Sequence, residues 1–187
     1  AVNGTTGAGI KPKKELLFTE LDSNVLPYNL EGHRHGPELE SHLTYYSSND
    51  VKVIFNTAHG PYARGIFSTI SVEVDDKHAG DVSRDYLLNI YKDYYSKDGM
   101  DEYFIKIVDS LKLGAKNQKL YEIYPRLRNV IGTNYCHIGL DIDEDRDVIK
   151  IISITDNLIK GAAGSAIQNM NVMFNIKENM GLTHFAL

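Results

Sequence analysis

The densest chemical constellation in the chain is Gly32-His33-Arg34-His35-Gly36-Pro37-Glu38, where two histidines straddle an arginine and a carboxylate follows. Histidine titrates near neutral pH and can shuttle a proton. Arginine can clamp a carboxylate or phosphate through parallel hydrogen bonds, and Glu38 can orient an imidazole. Other readings stand beside this one. His33 and His35, at i and i+2, could share a metal only in an extended segment, and the arginine between them would repel the cation. All of them could equally be polar loop residues. A second cluster, His59-Gly60-Pro61-Tyr62-Ala63-Arg64-Gly65, lies between two strand candidates. That places His59 and Arg64 at a sheet edge, where scaffolds mount functional groups, unless the segment is simply a polar crossover. A third runs from Asp156 to Gly164 (DNLIKGAAG). Small residues opening a helix leave backbone N–H groups free for an anion or cofactor, or else allow close helix packing.

Cys136 is the only thiol and is followed by His137. Neighbours on a strand point to opposite faces, so His137 is badly placed to activate it, and a buried structural cysteine is expected. A single cysteine excludes an internal disulfide and suggests a reducing compartment.

These groups need elements to hold them. Residues 1–14, with glycines at 4, 7 and 9 and Pro12 among lysines, read as a loop. Pro37 with Glu38 and Glu40 predicts a helix start, running to about Tyr46 before Ser47-Ser48-Asn49-Asp50 closes it. Val51–Thr57 alternates as a half-buried strand does, and Ile66–Val74 is β-branched and alternating. Ser83 predicts an N-cap for a helix to about Tyr95, with Tyr86, Leu87, Ile90 and Tyr94 on its apolar face. Tyr103–Val108 is a short strand. Segments 138–143 and 148–154 make a hairpin around an acidic turn that lacks the glycine and spacing of a calcium loop. Gly161–Phe174 predicts a helix with Ala166, Ile167, Met170, Met173 and Phe174 as its stripe. This order describes an α+β domain with a mixed, largely antiparallel sheet.

The bulk numbers agree with one sizeable domain. The chain has 187 residues, 42% hydrophobic and 24% charged, with net charge −5. Its basic runs, Lys11, Lys13, Lys14 and Arg126, Arg128, are too short for a nucleic-acid footprint. No apolar run approaches the roughly 18 residues a membrane span needs, so a cytoplasmic protein is expected. The opening Ala1, in place of an initiator Met, suggests a piece of a longer or processed protein.

Taken together, the motifs resemble the N-acetyl-gamma-glutamyl-phosphate reductase family. That family carries S-G-x-S/T-G-A-G, G-H-R-H-x-P-E, F-T-x-H-x-x-x-x-R-G, S-N-x-C-x-I-G and D-N-L-x-K-G-A-A-G-x-A-x-Q-N-M-N in order. Here they appear as NGTTGAG from Asn3, GHRHGPE from Gly32, FNTAHGPYARG from Phe55, TNYCHIG from Thr133 and DNLIKGAAGSAIQNMN from Asp156. The resemblance implies the α+β C-terminal domain of glyceraldehyde-phosphate dehydrogenase and aspartate-semialdehyde dehydrogenase, with helices on one sheet face. It implies NADP-dependent reduction of an acyl phosphate to a semialdehyde, through attack by a cysteine thiolate and hydride transfer from NADPH. A lysine-pathway relative acting on carrier-linked aminoadipyl phosphate shares these motifs, and a pure dimerisation module is a further possibility.

Carried onto this chain, the resemblance implies proton transfer by His33, supported by His35 and Glu38. It implies substrate binding by Gly7, Ala8, Gly9, Arg34, His59 and Arg64, and a fragment of the NADP site at Asn157 and Gly161. No metal is implied. Residues 1–187 would form a single substrate and dimerisation domain of a homodimer or homotetramer, with helix 161–175 packing on an NADP-binding domain outside this chain. The nucleophilic cysteine would also lie outside, leaving the chain inactive alone, since Cys136 matches a downstream family position.

Overall fold

The computed structural model describes residues 1–96, 102–110 and 121–183. By packing, the chain falls into two compact units, Ala1–Ala63 and Arg64–Leu187.

The first unit carries strand β1 (Val2–Asn3), the short helix α1 (Phe18–Leu21), β2 (Leu26–Tyr28), α2 (His35–Ser47) and β3 (Thr57–His59). Strand β3 is central: β1 runs parallel to it with Asn3 opposite His59, and β2 runs antiparallel with Tyr28 opposite Thr57. Helix α2 begins two residues before Pro37, which sits in its first turn, where its missing N–H costs nothing. It ends at Ser48, which takes a left-handed conformation (φ 57°) and donates its N–H to Thr44 O.

The expected strand over Val51–Thr57 is corrected to β3 at Thr57–His59. Residues 51–56 keep an alternating burial pattern but form no ladder. Their N–H groups go to α2 instead: Val51 donates to Thr44 Oγ1 (3.1 Å) and Val53 to Glu40 Oε1 (2.8 Å). Alternation reports an extended chain, while a strand also needs a neighbouring edge to pair with.

The second unit contains β4 (Ile66–Glu73), α3 (Arg84–Tyr95), β5 (Ile105–Val108), β6 (Cys136–Asp143), β7 (Val148–Thr155) and α4 (Gly164–Met173). Its strands pair in the order β4-β7-β6-β5, antiparallel except for the parallel β5–β6 pair. This is the mixed, largely antiparallel sheet expected. Ser83 caps α3 by accepting the Tyr86 N–H at 3.1 Å. The hairpin turn is closed by its acids: Asp147 Oδ1 accepts from Gly80 N–H (2.8 Å) and Asp143 pairs with Arg146 (3.2 Å).

The core lies between one face of β6 and α3. Cys136, Ile138, Leu140 and Ile142 meet Leu87 and Leu88, with Tyr91, Tyr95, Ile149 and Ile151 around them. The expected face of α3 is therefore wrong by one position. Leu87, Leu88, Tyr91 and Tyr95 turn inward, while Tyr86, Ile90 and Tyr94 are exposed. Both stripes satisfy helical spacing on this tyrosine-rich helix, and the sheet chooses between them. The thiol of Cys136 is buried in this core, 3.4 Å from Ser153 Oγ, and burial pushes its pKa up.

The last helix opens with a wide turn over Ile159–Ala163 before α4 proper. Backbone hydrogen bonds five residues apart, Gly161 N–H to Asp156 O (2.9 Å) and Ala163 N–H to Leu158 O (3.1 Å), define it. A polar network ties α4 down. Gln168 Oε1 accepts from Asn134 Nδ2 (2.9 Å) and Lys160 Nζ (2.8 Å), while Asn171 Nδ2 donates to the carbonyls of Glu178 and Met180. The stripe expected to be its apolar face is exposed at Ile167, Met170, Met173 and Phe174.

Gly164 is required by close approach. A Cβ there would lie 2.3 Å from Asn134 Oδ1 and 2.8 Å from Ile159 O. Gly164→Ala is expected to destabilise the chain by about 1–3 kcal/mol, as overpacking does. A lowered urea midpoint would register it; an unchanged midpoint would mean that Asn134 swings aside.

Candidate functional site

In the first unit the sheet and the α2 N-terminus bring His33, His35 and His59 together with Tyr28 and Phe55. Tyr28 stacks on His59 (centroids 4.5 Å apart, planes at 21°) and meets His33 edge-on at 6.0 Å. His33 in turn packs edge-on against His35 (4.8 Å) and Phe55 (5.2 Å). A shallow groove beside α2 is lined by Gly32, His33, Gly36, Glu40, Val53 and Phe55.

His33 Nδ1 accepts the His35 backbone N–H at 3.2 Å, so the neutral ring carries its proton on Nε2. Desolvation, then the nearby His35 and Arg34, hold its pKa below the ordinary value. The neutral ring presents an Nε2–H donor, and it takes a proton only at Nδ1, the nitrogen that accepts the His35 N–H. Glu38 stands 4.0 Å from His35 Nε2, and both side chains of that pair are exposed. Arg34 is exposed at the N-cap of α2. Burial, with Lys13 nearby, also lowers the pKa of His59.

The glycine-rich segment forms a 3₁₀ turn at Thr5–Ala8, anchored by Thr5 and Thr6 N–H groups on the carbonyls of Tyr62 and Ala63. Gly7 and Gly9 are exposed. Gly9 has φ +83° and open space where a Cβ would sit, so a ligand can reach the backbone there.

In the second unit, Arg64 is organised by Asp156. The Asp156 carboxylate is fully buried and accepts from Arg64 NH2 (2.9 Å), Gly132 N–H (2.8 Å), Leu158 N–H (2.8 Å) and Ile159 N–H (2.9 Å). Burial alone would raise its pKa, but the hydrogen bonds from Gly132, Ile159, Arg64 and Leu158 outweigh it and lower it. Among the described residues, Arg64 Nε is buried without a hydrogen-bond partner. Asn157 Oδ1 accepts the Gly65 N–H at 2.7 Å, so this oxygen fixes the backbone beside Arg64. Gly161, Ala162 and Ala163 form an exposed edge of small residues. Among the described residues, no group of three or more His, Cys, Asp or Glu side chains could hold a metal ion.

The sequence points to the histidines and Arg64 but gives no role to Asp156, Asn3 or Tyr28. An acid closing an apolar strand ahead of a helix was the available signal for Asp156. Asn3 and Tyr28 carried none, because their partners are distant in sequence.

Residues 1–157 match the family model described as "Semialdehyde dehydrogenase, dimerisation domain". The chain belongs to this semialdehyde dehydrogenase dimerisation-domain family. Among relatives of this family member, a protein of Thermoanaerobacter sp. (strain X514) is 37% identical over 180 residues, covering 96% of this chain and 47% of its own. One from Halothermothrix orenii is 40% identical over 183 residues, covering 97% and 47%. Both are named N-acetyl-gamma-glutamyl-phosphate reductase. The chain thus spans about half the length of the curated relatives it matches. Aspartate semialdehyde dehydrogenase II from Vibrio cholerae shares the fold, with TM-score 0.58 at 15% identity over 90% of this chain and 46% of that one. Among the described residues, no helix is long and apolar enough to cross a membrane.

Proposed function

We propose that this chain supplies the proton-transfer and anion-binding half of an NADP-dependent reductase that converts N-acetyl-gamma-glutamyl phosphate to N-acetylglutamate semialdehyde in arginine biosynthesis. The observation that carries the reading is similarity to reductases of that name along 96–97% of this chain. A cytoplasmic setting and a homodimer or homotetramer belong with it.

His33 is the acid/base group: the neutral ring takes a proton at Nδ1, in place of the His35 N–H it accepts there, and gives one from Nε2. His35, paired with Glu38, keeps a second titratable ring against it. Arg34, His59 and Arg64 take the anionic groups of the substrate, with Arg64 held in place by Asp156. Gly7, Ala8 and Gly9 contribute backbone on the open side of the 3₁₀ turn.

NADP, when bound, supplies hydride to the acyl carbon. Gly161, Ala162 and Ala163 are small and exposed, so a nucleotide can approach the backbone there. Asn157 contributes there by fixing Gly65. The exposed stripe of α4, with Met173 80% and Phe174 71% accessible, packs against the NADP-binding half. The nucleophilic cysteine belongs to that half, because burial keeps Cys136 a thiol.

The test is NADPH oxidation by the assembled reductase. Turnover is expected with N-acetyl-gamma-glutamyl phosphate; turnover confined to carrier-linked aminoadipyl phosphate would overturn the assignment.

A further inference from the structure

His59 sits in a polar frame built from residues far from it in sequence. Strand register places Asn3 opposite His59, and Tyr28 lies diagonally across β3, stacked on the imidazole. Asn3 Nδ2 lies 3.3 Å from His59 Nδ1 and 3.3 Å from Gly4 O. The Tyr28 hydroxyl is 3.0 Å from Asn3 Oδ1.

The two ends of an amide are alike in shape but opposite in hydrogen bonding, and here the partners tell them apart. A backbone carbonyl only accepts, so the Asn3 atom beside Gly4 O must be the NH2. The oxygen then faces the Tyr28 hydroxyl, which donates to it. The same NH2 faces His59 Nδ1, and an amide nitrogen can only donate. Nδ1 must therefore accept, and the ring proton resides on Nε2.

We propose that Asn3 and Tyr28 are positioning residues that hold His59 as its Nε2–H tautomer, making it a neutral hydrogen-bond donor to an anionic oxygen of the acyl-phosphate substrate. This rests on the reaction proposed above. Burial does most to disfavour the His59 imidazolium, the Lys13 charge adds to it, and the Tyr28 ring, which itself meets His33 edge-on, stacks on the imidazole. All of them favour a neutral ring or leave it unchanged, which suits a donor that must not bind anions as a fixed cation.

Long-range ¹H–¹⁵N spectra of the histidine rings in the labelled chain test the lock directly. Wild-type His59 is expected to show a protonated Nε2 and a bare Nδ1. Asn3→Asp replaces the donor by a group that only accepts. It should turn the ring to Nδ1–H and raise the titration midpoint by about one pH unit or more. Tyr28→Phe keeps the ring stack but frees the amide to flip, so mixed tautomers are expected. A wild-type Nδ1–H, or an Asn3→Asp variant with tautomer and midpoint unchanged, would overturn the proposal.

In the assembled reductase, Asn3→Asp should raise KM for the acyl phosphate more than it lowers kcat. A switched tautomer with KM unmoved would overturn the substrate-facing role. Absence of any turnover by the wild-type assembly would overturn the reaction itself, while the spectra read the lock independently of it.

Discussion

Asp156→Ala is expected to lower the stability of the chain by on the order of 3–5 kcal/mol, the cost of stripping one partner from a buried ion pair. The fully buried carboxylate holds three backbone N–H groups and the Arg64 guanidinium at once. Removing it leaves all of them without an acceptor, with a partly buried cation among them. Asp156→Asn keeps the shape but turns one acceptor into a donor aimed at donors, so it should cost nearly as much. Urea denaturation of the three proteins measures this, and a loss under about 1 kcal/mol would mean the site is rebuilt by water. The same carboxylate sets an acid limit. Its folded pKa lies below the ordinary 3.8, so its contribution is complete above that value and is lost as pH falls through the lower folded pKa. Acid unfolding of the wild type should show a component in that window which Asp156→Asn lacks.

His33→Gln in the assembled reductase is expected to reduce kcat by roughly 10²–10⁴-fold, the usual contribution of a general acid or base. KM should change little, because glutamine can still fill the side of the groove. The lowered pKa of His33 makes the sign of the pH effect definite. A step needing the neutral ring holds at pH 6.5, the ordinary histidine value, and fails only as pH drops through the lower folded pKa. His35→Gln should be milder, since that ring is exposed and its carboxylate partner is 4.0 Å away. A kcat for His33→Gln within tenfold of wild type would transfer the proton step to another group.

Much of the second unit was legible residue by residue. The β-branched run at Ile66, the Ser83 cap and the hairpin around 144–147 use local signals whose partners lie within a few positions, and each forms where expected. The 51–57 segment fails for a physical reason. Its alternation is real, but its N–H groups find α2 side chains before a strand edge. Helix α3 fails in phase only, since apolar spacing sets a period and the sheet it meets sets the angle.

What the sequence determines by itself is the inventory: histidines flanking an arginine ahead of a helix, a thiol in an apolar strand, and small residues opening the last helix. What only the tertiary structure decides is who faces whom. Asn157 reaches Gly65 across 92 positions, Asn3 reaches His59 across 56, and Asp156 closes on Arg64 from the far end of β7. Side-chain type limits which bonds can form. Only the folded register brings donor and acceptor within 3 Å or so, and that distance decides which proton sits on which nitrogen.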